Sequence, residues 1–283
     1  IAPDDKKVLR ERLKSLENEL NIYLAKEYGV DIKTRTIYEK WLASHKPFHW
    51  FIEFYGIMKQ GGFNVIIGNP PYVEYSSIRG IYKVKNYETM ESSNLYTYVI
   101  ERAIRIQNNS SYNGMIIPIS AYCTDRMEPF QRLEVKNSSG LYLSNYAERP
   151  SKLFEGAERN LTIALLQKKK ERLNEAIFTT CYYKWNASFR EFLFDNISYI
   201  DAKETIVPGI IPKIGSAEEI GLISKLRKIK KNVGFYTSRI RTKYKLYYRN
   251  SGGRYWKIIT DFQPKFYLNG AKDVSTPESY FYF

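Results

Sequence analysis

The chain has 283 residues, a formal net charge of +14 at pH 7 and 43% hydrophobic residues. This apolar content is ample for a buried core, and the length suits one or two domains. Two cysteines and two histidines argue against a disulfide framework and against a metal site at the usual spacings. No segment has the length and apolar character of a membrane span, and none has the pattern of a signal peptide.

The first 62 residues are predicted to form a helix followed by an aromatic connector. Residues 4–27 repeat leucines at spacings of three and four, which is typical of an amphipathic helix. A leucine repeat this short suits packing on the helix's own domain better than dimerisation. Residues 28–62 are rich in aromatic side chains and end at Gly61 and Gly62; the aromatic residues include Trp41, Phe48, Trp50, Phe51, Phe54 and Tyr55.

Residues 68–72 read Gly-Asn-Pro-Pro-Tyr and follow the apolar run 65–67. The run suits a buried parallel strand, and the two prolines then prevent a strand or a helix from continuing. Because proline has no N–H, the carbonyl groups of Pro70 and Pro71 remain as acceptors without a ladder to join. The pattern predicts a loop at the carboxyl end of a strand, which is where open α/β sheets bind ligands.

The groups in this loop suit an exocyclic amine on a planar base. Such an amine can donate one proton to the side-chain carbonyl of Asn69 and the other to the backbone carbonyl of Pro70, while Tyr72 stacks on the ring. Accepting both protons favours a tetrahedral nitrogen whose lone pair can attack an electrophilic methyl group. The structural alternative is a proline-stiffened turn after a core strand.

The stretch 62–73 resembles the amino-methyltransferases that act on adenine N6 in DNA, and among them the Eco57I-type enzymes of restriction-modification and phage-defence systems. Their motif is Asn/Asp-Pro-Pro-Tyr/Phe. The family usually has Asp where this chain has Asn64, a position that mainly supports the strand. The resemblance implies that the catalytic residues are Asn69, Pro70, Pro71 and Tyr72.

The resemblance continues downstream. Residues 94–96 open a helical stripe, and residues 114–119 and 161–166 resemble the next sheet strands. In the family, an aromatic residue in the loop before the last strand packs against the flipped base, and Phe154 is the matching position. A core phenylalanine at a strand entrance is the alternative. Residues 63–208 are thus expected to form the C-terminal half of a Rossmann-like α/β methyltransferase domain with a mostly parallel sheet.

The resemblance implies S-adenosylmethionine as the cofactor, although the usual Gly-rich turn is missing from this sequence. The 16 glycines include no Gly-x-Gly, and in the family branch with Asn-Pro-Pro-Tyr that turn precedes the catalytic loop. We therefore expect a fragment whose main cofactor motif lies upstream, and which alone is inactive and binds S-adenosylmethionine weakly. Family members often carry a nuclease domain upstream as well.

Residues 209–283 are expected to begin a basic α+β domain that recognises DNA. Ser216 and Glu219 form a capping box for a helix over residues 216–231, and strands over 243–249 and 254–260 are predicted to form a hairpin. Between residues 220 and 260 there are twelve bases and no acid, interleaved with aromatic residues, which favours a nucleic-acid surface over a solvated face. The predicted DNA-binding residues are Arg239, Arg241, Lys243, Lys245, Arg249, Arg254 and Lys257.

The sequence favours a site-specific N6-adenine methyltransferase that acts on double-stranded DNA in a bacterial or archaeal cytoplasm, with no metal and no membrane contact. Two other functions fit the same residues. The tetrapeptide also occurs in methyltransferases of RNA bases and of a protein glutamine amide, and a DNA-binding specificity module can keep a methyltransferase-like shell without activity. A cofactor turn upstream in the full gene would separate the enzyme from the inactive module. The oligomeric state is left open.

Overall fold

The computed structural model describes residues 3–168 and 176–231 continuously, and after them 233–236, 238, 242–248, 259–260, 262, 267–268, 271–272 and 280–282. The chain divides into two compact units, Ile1–Gly221 and Leu222–Phe283. The domain boundaries expected at residues 62 and 208 stay predictions. In the described ranges, no helix is long and apolar enough to cross a membrane, and no three His, Cys, Asp or Glu side chains group around a possible metal position.

Four helices precede the sheet: α1 (Pro3–Glu27), α2 (Arg35–His45), α3 (Trp50–Glu53) and α4 (Tyr55–Lys59). Helix α1 confirms the predicted helix, but the expectation that its leucines pack on their own domain holds only toward the end of the helix, where Leu20 and Leu24 are partly buried. Leu9, Leu13 and Leu16 are each about half exposed. The described neighbours of α1 meet only its last turns, where Asn21 Oδ1 accepts a 2.7 Å hydrogen bond from His49 Nε2.

Six strands form the central sheet in the order β1-β2-β4-β3-β5-β6. Their bounds are β1 Phe63–Gly68, β2 Gln107–Pro118, β3 Gly140–Tyr146, β4 Leu161–Lys168, β5 Ala176–Tyr183 and β6 Ile200–Asp201. The pairs β1–β2 and β3–β5 are parallel, and the other three pairs are antiparallel. The expectation of a mostly parallel sheet is therefore wrong. No α-helix connects β3 to β4 or β5 to β6. The chain therefore re-enters the sheet at the end of the strands where it left, and the neighbouring strands pair antiparallel.

Two helices pack on this sheet, α5 (Leu95–Ile106) and α6 (Glu128–Asn137). Helix α5 begins directly after Asn94, as predicted, and buries an apolar stripe that includes Ile100 and Ile104. Phe130 of α6 and Ile117 of β2 belong to the same buried cluster. This core holds the carboxyl ends of β1 and β2 in place.

The chain between β6 and the next helix is held on the first unit. The Ile211 N–H donates to the Tyr122 carbonyl at 2.8 Å, and Gln131 Nε2 donates to the Gly209 carbonyl at 3.0 Å. Ile214 is almost fully buried. The first residues of the expected DNA-recognition region therefore contribute to the packing of the sheet unit.

Helix α7 spans Ala217–Arg227, so it ends four residues before the predicted Lys231. Glu219 Oε2 accepts hydrogen bonds from the N–H groups of Gly215 (2.6 Å) and Ser216 (3.3 Å), which forms the glutamate half of the predicted capping box. The residues after the helix are a run of lysines without an acid. Like charges one turn apart repel, which accounts for the early end.

The second unit contains short elements beyond α7. They are α8 (Val233–Tyr236), a three-stranded sheet in the order β11-β7-β8 and the pair β9–β10. The antiparallel pairing of β7 with β8 confirms the two strands of the predicted hairpin, whose turn at residues 250–253 lies outside the described residues. The strand bounds are β7 Lys245–Tyr248, β8 Ile259–Thr260, β9 Tyr267–Leu268, β10 Ala271–Lys272 and β11 Tyr280–Tyr282.

Gly62 sets the entry into β1 and allows a test of stability. Its φ is +112°, and a Cβ there would lie 2.2 Å from the Ile106 carbonyl oxygen. We expect Gly62→Ala to destabilise the sheet unit by roughly 2 kcal/mol or more, because backbone strain of this kind costs about 1–3 kcal/mol without any clash. Thermal unfolding measures the loss. Gly80→Ala is the matched control, since nothing lies within 4 Å of its Cβ position; equal losses in the two variants would contradict the argument.

Candidate active site

The loop after β1 leaves the sheet at an edge. Among the described strands β1 pairs with β2 alone, and Gly68 lies opposite Met115. Asn69 and Pro71 are exposed, whereas Pro70 is buried. The described residues make no hydrogen bond to the Pro70 carbonyl oxygen. The loop thus presents an amide side chain and an unused backbone acceptor at the end of the strand.

Tyr72 ties this loop together. Its hydroxyl oxygen lies 2.7 Å from Asn69 Oδ1 and 2.9 Å from the Ile116 carbonyl oxygen, and its single proton can be donated to one of them at a time. Burial raises the pKa of Tyr72 to about 12, an effect that the charge of Arg159 opposes. The hydroxyl is therefore protonated at neutral pH and acts as a donor. Asn69 Oδ1 has a second lone pair, which remains for a ligand.

A cleft of about 500 Å³ opens on this loop. Tyr72 and Phe154, the two predicted stacking residues, both line it. The sequence separates them by about eighty positions, and the structure brings them together through a shared apolar cluster with Tyr146 and Leu161. A cleft of this size is within the usual range for a small-molecule site. Its described lining residues are Asn69, Pro70, Pro71, Tyr72, Phe154, Gly156, Ala157, Glu158 and Arg159.

The connection from β3 to β4 carries the second wall of the cleft, residues 154–159, and this wall is fixed at both ends. Directly before its first residue, Arg190 donates from Nη1 to the Leu153 carbonyl (3.0 Å) and from Nη2 to the Lys152 carbonyl (3.2 Å). At its end, the Asn160 carbonyl accepts from the Ile119 N–H at 3.0 Å. These bonds hold the wall against the loop after β1.

A second cavity, of about 490 Å³ and mostly apolar, lies beside the same loop. Asn69, Pro70 and Pro71 line both cavities. The loop is therefore a shared border, at which groups held in the two cavities could meet. Other lining residues of the second cavity are Trp50, Ile67, Tyr87, Tyr98, Val99 and Met115.

The chain that leaves the loop is held by the start of α5. Two backbone hydrogen bonds of 2.9 Å join residues 73–75 to residues 93–95. The Glu74 carboxylate accepts from Asn94 Nδ2 at 3.2 Å and forms an ion pair with Arg126. With β1 on one side and this cluster on the other, the loop is anchored at both ends.

The predicted DNA-binding residues lie mostly outside the described residues. The side chain of Lys243 is described: it is exposed, with Nζ 5.0 Å from the centre of the Tyr244 ring. Lys245 lies on β7. The DNA-binding role of the whole set stays a prediction, and the positions outside the described residues are Arg239, Arg241, Arg249, Arg254 and Lys257.

Three charged side chains near the site were not predicted from the sequence. Arg159 lines the cleft, and the Glu74–Arg126 ion pair anchors the loop. The place of Arg159, five residues after Phe154 in one short connection, is a signal that could have indicated it. The partner of Glu74 is about fifty positions away, and no local pattern reveals such a pairing.

Comparison with known proteins defines the class of this protein. Residues 3–154 match the family model described as the Eco57I restriction-modification methylase. The class is thus that of restriction-modification methylases. The chain belongs to the Eco57I restriction-modification methylase family.

One curated relative comes from Methanocaldococcus jannaschii. Its provisional name is type II restriction enzyme and methyltransferase RM.MjaORFECS2P. It is 31% identical over 192 residues, which cover 66% of this chain and 15% of the relative. The chain therefore spans about 15% of the length of the curated relative that it matches.

Solved structures of restriction-modification proteins show a weaker likeness. A nuclease-deletion mutant of the Type ISP restriction-modification enzyme LlaGI, in complex with a DNA substrate mimic, has a TM-score of 0.42 and 13% identity, covering 60% of this chain and 20% of that one. The DrdV–DNA complex has a TM-score of 0.38 and 15% identity, covering 53% and 18%. The type I methyltransferase subunit from Streptococcus thermophilus has a TM-score of 0.30 and 12% identity, covering 61% and 33%.

Proposed function

We propose that this chain carries the catalytic loop of a site-specific DNA adenine-N6 methyltransferase that uses S-adenosylmethionine. The observation that carries the proposal is one cleft lined by Asn69 and Pro70 together with Tyr72 and Phe154. Two acceptors suit the two protons of an exocyclic amine, and two aromatic rings suit the planar base that carries it. Membership of the restriction-modification methylase family supports the same reaction class.

The acceptors make the amine nucleophilic. When Asn69 and Pro70 each accept one proton of N6, the nitrogen lone pair is drawn out of conjugation with the ring and toward the border between the two cavities. The hydrogen bond from Tyr72 fixes the orientation of the Asn69 amide, so the acceptor does not have to be oriented during the reaction. Positioning of this kind can supply much of the rate enhancement. The surplus proton of the methylated nitrogen then leaves to water.

The residues present fit part of the cofactor. S-adenosylmethionine, when bound, supplies an electrophilic methyl group on a sulfonium. Asn69, Pro70 and Pro71 border the second cavity and fit the transfer end. The sequence contains no Gly-x-Gly turn to hold the nucleoside end.

The target adenine must leave the duplex stack to enter the cleft, which costs a few kcal/mol. Stacking on Tyr72 and Phe154 offsets this by about 1–3 kcal/mol per aromatic contact, by analogy with single-strand binding. Both rings are half-buried, and each packs against the cluster that includes Tyr146 and Leu161. This packing supports a stacking role, because it holds the rings in place.

The test is product analysis with the full-length protein. Duplex DNA is incubated with labelled S-adenosylmethionine, digested to nucleosides and resolved by mass spectrometry. The expected product is N6-methyladenosine in its deoxy form, from duplex DNA and not from RNA or protein added in parallel. Label only in RNA or in a protein amide would assign the loop to one of the other substrate classes. DNA binding without any transfer would identify an inactive specificity module.

The DNA-binding role of the basic region has its own test. We expect Arg249→Ala combined with Arg254→Ala to weaken DNA binding by more than tenfold at moderate salt, because each arginine can neutralise a phosphate or read guanine. If both contact phosphates, the slope of the logarithm of the binding constant against the logarithm of the salt concentration (the salt slope) should fall in magnitude by roughly one per residue. The sequence preference should then stay unchanged. Unchanged affinity and slope would move the recognition surface elsewhere.

A further inference from the structure

We propose that Arg159 binds the phosphodiester that flanks the flipped adenosine. This inference rests on the proposed function and adds a contact to the same cleft. Arg159 is the only cationic side chain among the described residues that line the cleft. The other charged lining residue, Glu158, has its carboxylate 3.4 Å from Lys152 Nζ, so an ion pair already partly compensates it.

Arg159 is placed to reach a ligand. Its side chain is exposed, and its guanidinium makes no hydrogen bond or ion pair to any residue within the described ranges. It lines the same cleft as Tyr72 and Phe154, the predicted stacking residues. A cation that lines a polar cleft and has no partner in the described part of the chain is suited to an anionic ligand.

The backbone that carries Arg159 is rigid. The neighbouring residue Asn160 accepts twice, through its carbonyl from the Ile119 N–H (3.0 Å) and through Oδ1 from the Glu148 N–H (2.9 Å). Because this backbone is already held in place, binding of the Arg159 head group does not require any further ordering of the backbone. The guanidinium, with its planar fork, suits the two free oxygens of a phosphodiester.

The target nucleotide has a neutral part and a charged part, and each suits a different set of residues in the cleft. The base is neutral and planar and fits the rings and acceptors of Tyr72, Phe154 and Asn69. An extruded nucleotide also brings its phosphates to the mouth of the cleft, since they remain joined to the base through the sugar. Arg159 is the described group at this position that can neutralise one of them.

The experiment is a cycle between protein and DNA variants in the full-length protein. The methylation site is first located by sequencing methylated DNA. Duplexes are then made with a neutral methylphosphonate at each phosphate next to the target adenine, and bound to wild type, Arg159→Ala and Arg159→Lys. Arg79→Ala, an exposed arginine outside both cavities, controls for the change in net charge.

We expect Arg159→Ala to weaken binding about tenfold and to lower the salt slope by about one. One methylphosphonate should weaken wild type by a similar factor and leave Arg159→Ala unaffected, while Arg159→Lys keeps part of the affinity and Arg79→Ala behaves as wild type. Equal penalties for every methylphosphonate in wild type and Arg159→Ala would overturn the phosphate contact. If wild type methylates no adenine, the proposed function fails and this contact with it; normal methylation by wild type with unchanged DNA affinity in Arg159→Ala overturns the contact alone.

Discussion

Asn69→Ala in the full-length protein is expected to lower the rate of methyl transfer by roughly 100-fold or more. The change removes one of the two acceptors for the target amine, and loss of a single preorganised polar group in a catalytic site commonly costs this much. It also removes the partner at 2.7 Å from the Tyr72 hydroxyl. DNA affinity should change little, because phosphate contacts dominate it. Single-turnover transfer of a tritiated methyl group, with DNA binding measured in parallel, checks both statements.

Three further variants make this test more specific. Asn64→Ala makes the same chemical change on β1, where the side chain contacts Asn108 and not the cleft, so its rate should match wild type. Tyr72→Ala should be as inactive as Asn69→Ala, whereas Tyr72→Phe keeps the ring and should lose only the orienting hydrogen bond. A wild-type rate in Asn69→Ala or in Tyr72→Ala would remove the loop from the reaction.

Glu134 on α6 is a fully buried carboxyl group, and the Tyr122 hydroxyl donates to its Oε2 at 2.8 Å. Burial raises the pKa of Glu134 from 4.5 to about 8, against the opposing effect of that hydrogen bond. The folded-state pKa thus lies above the unfolded value. The stabilisation that results is complete below pH 4.5 and is lost as the pH rises through 8.

Stability measurements should therefore separate wild type from Glu134→Gln as the pH rises. Between about pH 5 and pH 8 the free energy of unfolding of wild type should fall relative to that of Glu134→Gln by a few kcal/mol, since each pKa unit corresponds to about 1.4 kcal/mol. Urea unfolding at several pH values measures the difference. Glu128→Gln, at a more exposed carboxylate on the same helix, should show no such trend. Parallel pH profiles for wild type and Glu134→Gln would show that Glu134 is ionised in the folded protein.

Features that depend on neighbouring residues could be predicted from the sequence. The strand that ends at Gly68, the loop after it and the start of α5 at Leu95 are all where the pattern places them. Two prolines end a strand whatever surrounds them, and an apolar stripe of helical period identifies a helix in any fold. The strands β7 and β8 follow from the same kind of local signal.

Features that depend on distant partners could not be predicted in this way. The direction of β4 follows from where the chain re-enters the sheet, and the run of apolar residues 161–166 is the same for either direction. The exposure of Leu9 and its neighbours in α1 depends on which elements meet the helix. Phe154 was indicated by family resemblance and not by spacing, and Arg159 belongs to the cleft only because its loop is folded back onto Tyr72.

The reversed strand β4 also determines when the cleft can form during synthesis. Pro118 of β2 pairs with Leu161 of β4. Strand β4 lies between β2 and β3, so β2 and β3 do not pair with each other in the native sheet. A chain emerges from the ribosome from its N-terminus, and Asn69 and Tyr72 are therefore exposed long before β4 has been made. Nascent chains that stop before Leu161 should carry the complete catalytic tetrapeptide, but they lack the strand that holds Phe154 and Arg159 opposite it. The order of translation thus delays a functional cleft until the sheet around β4 is closed.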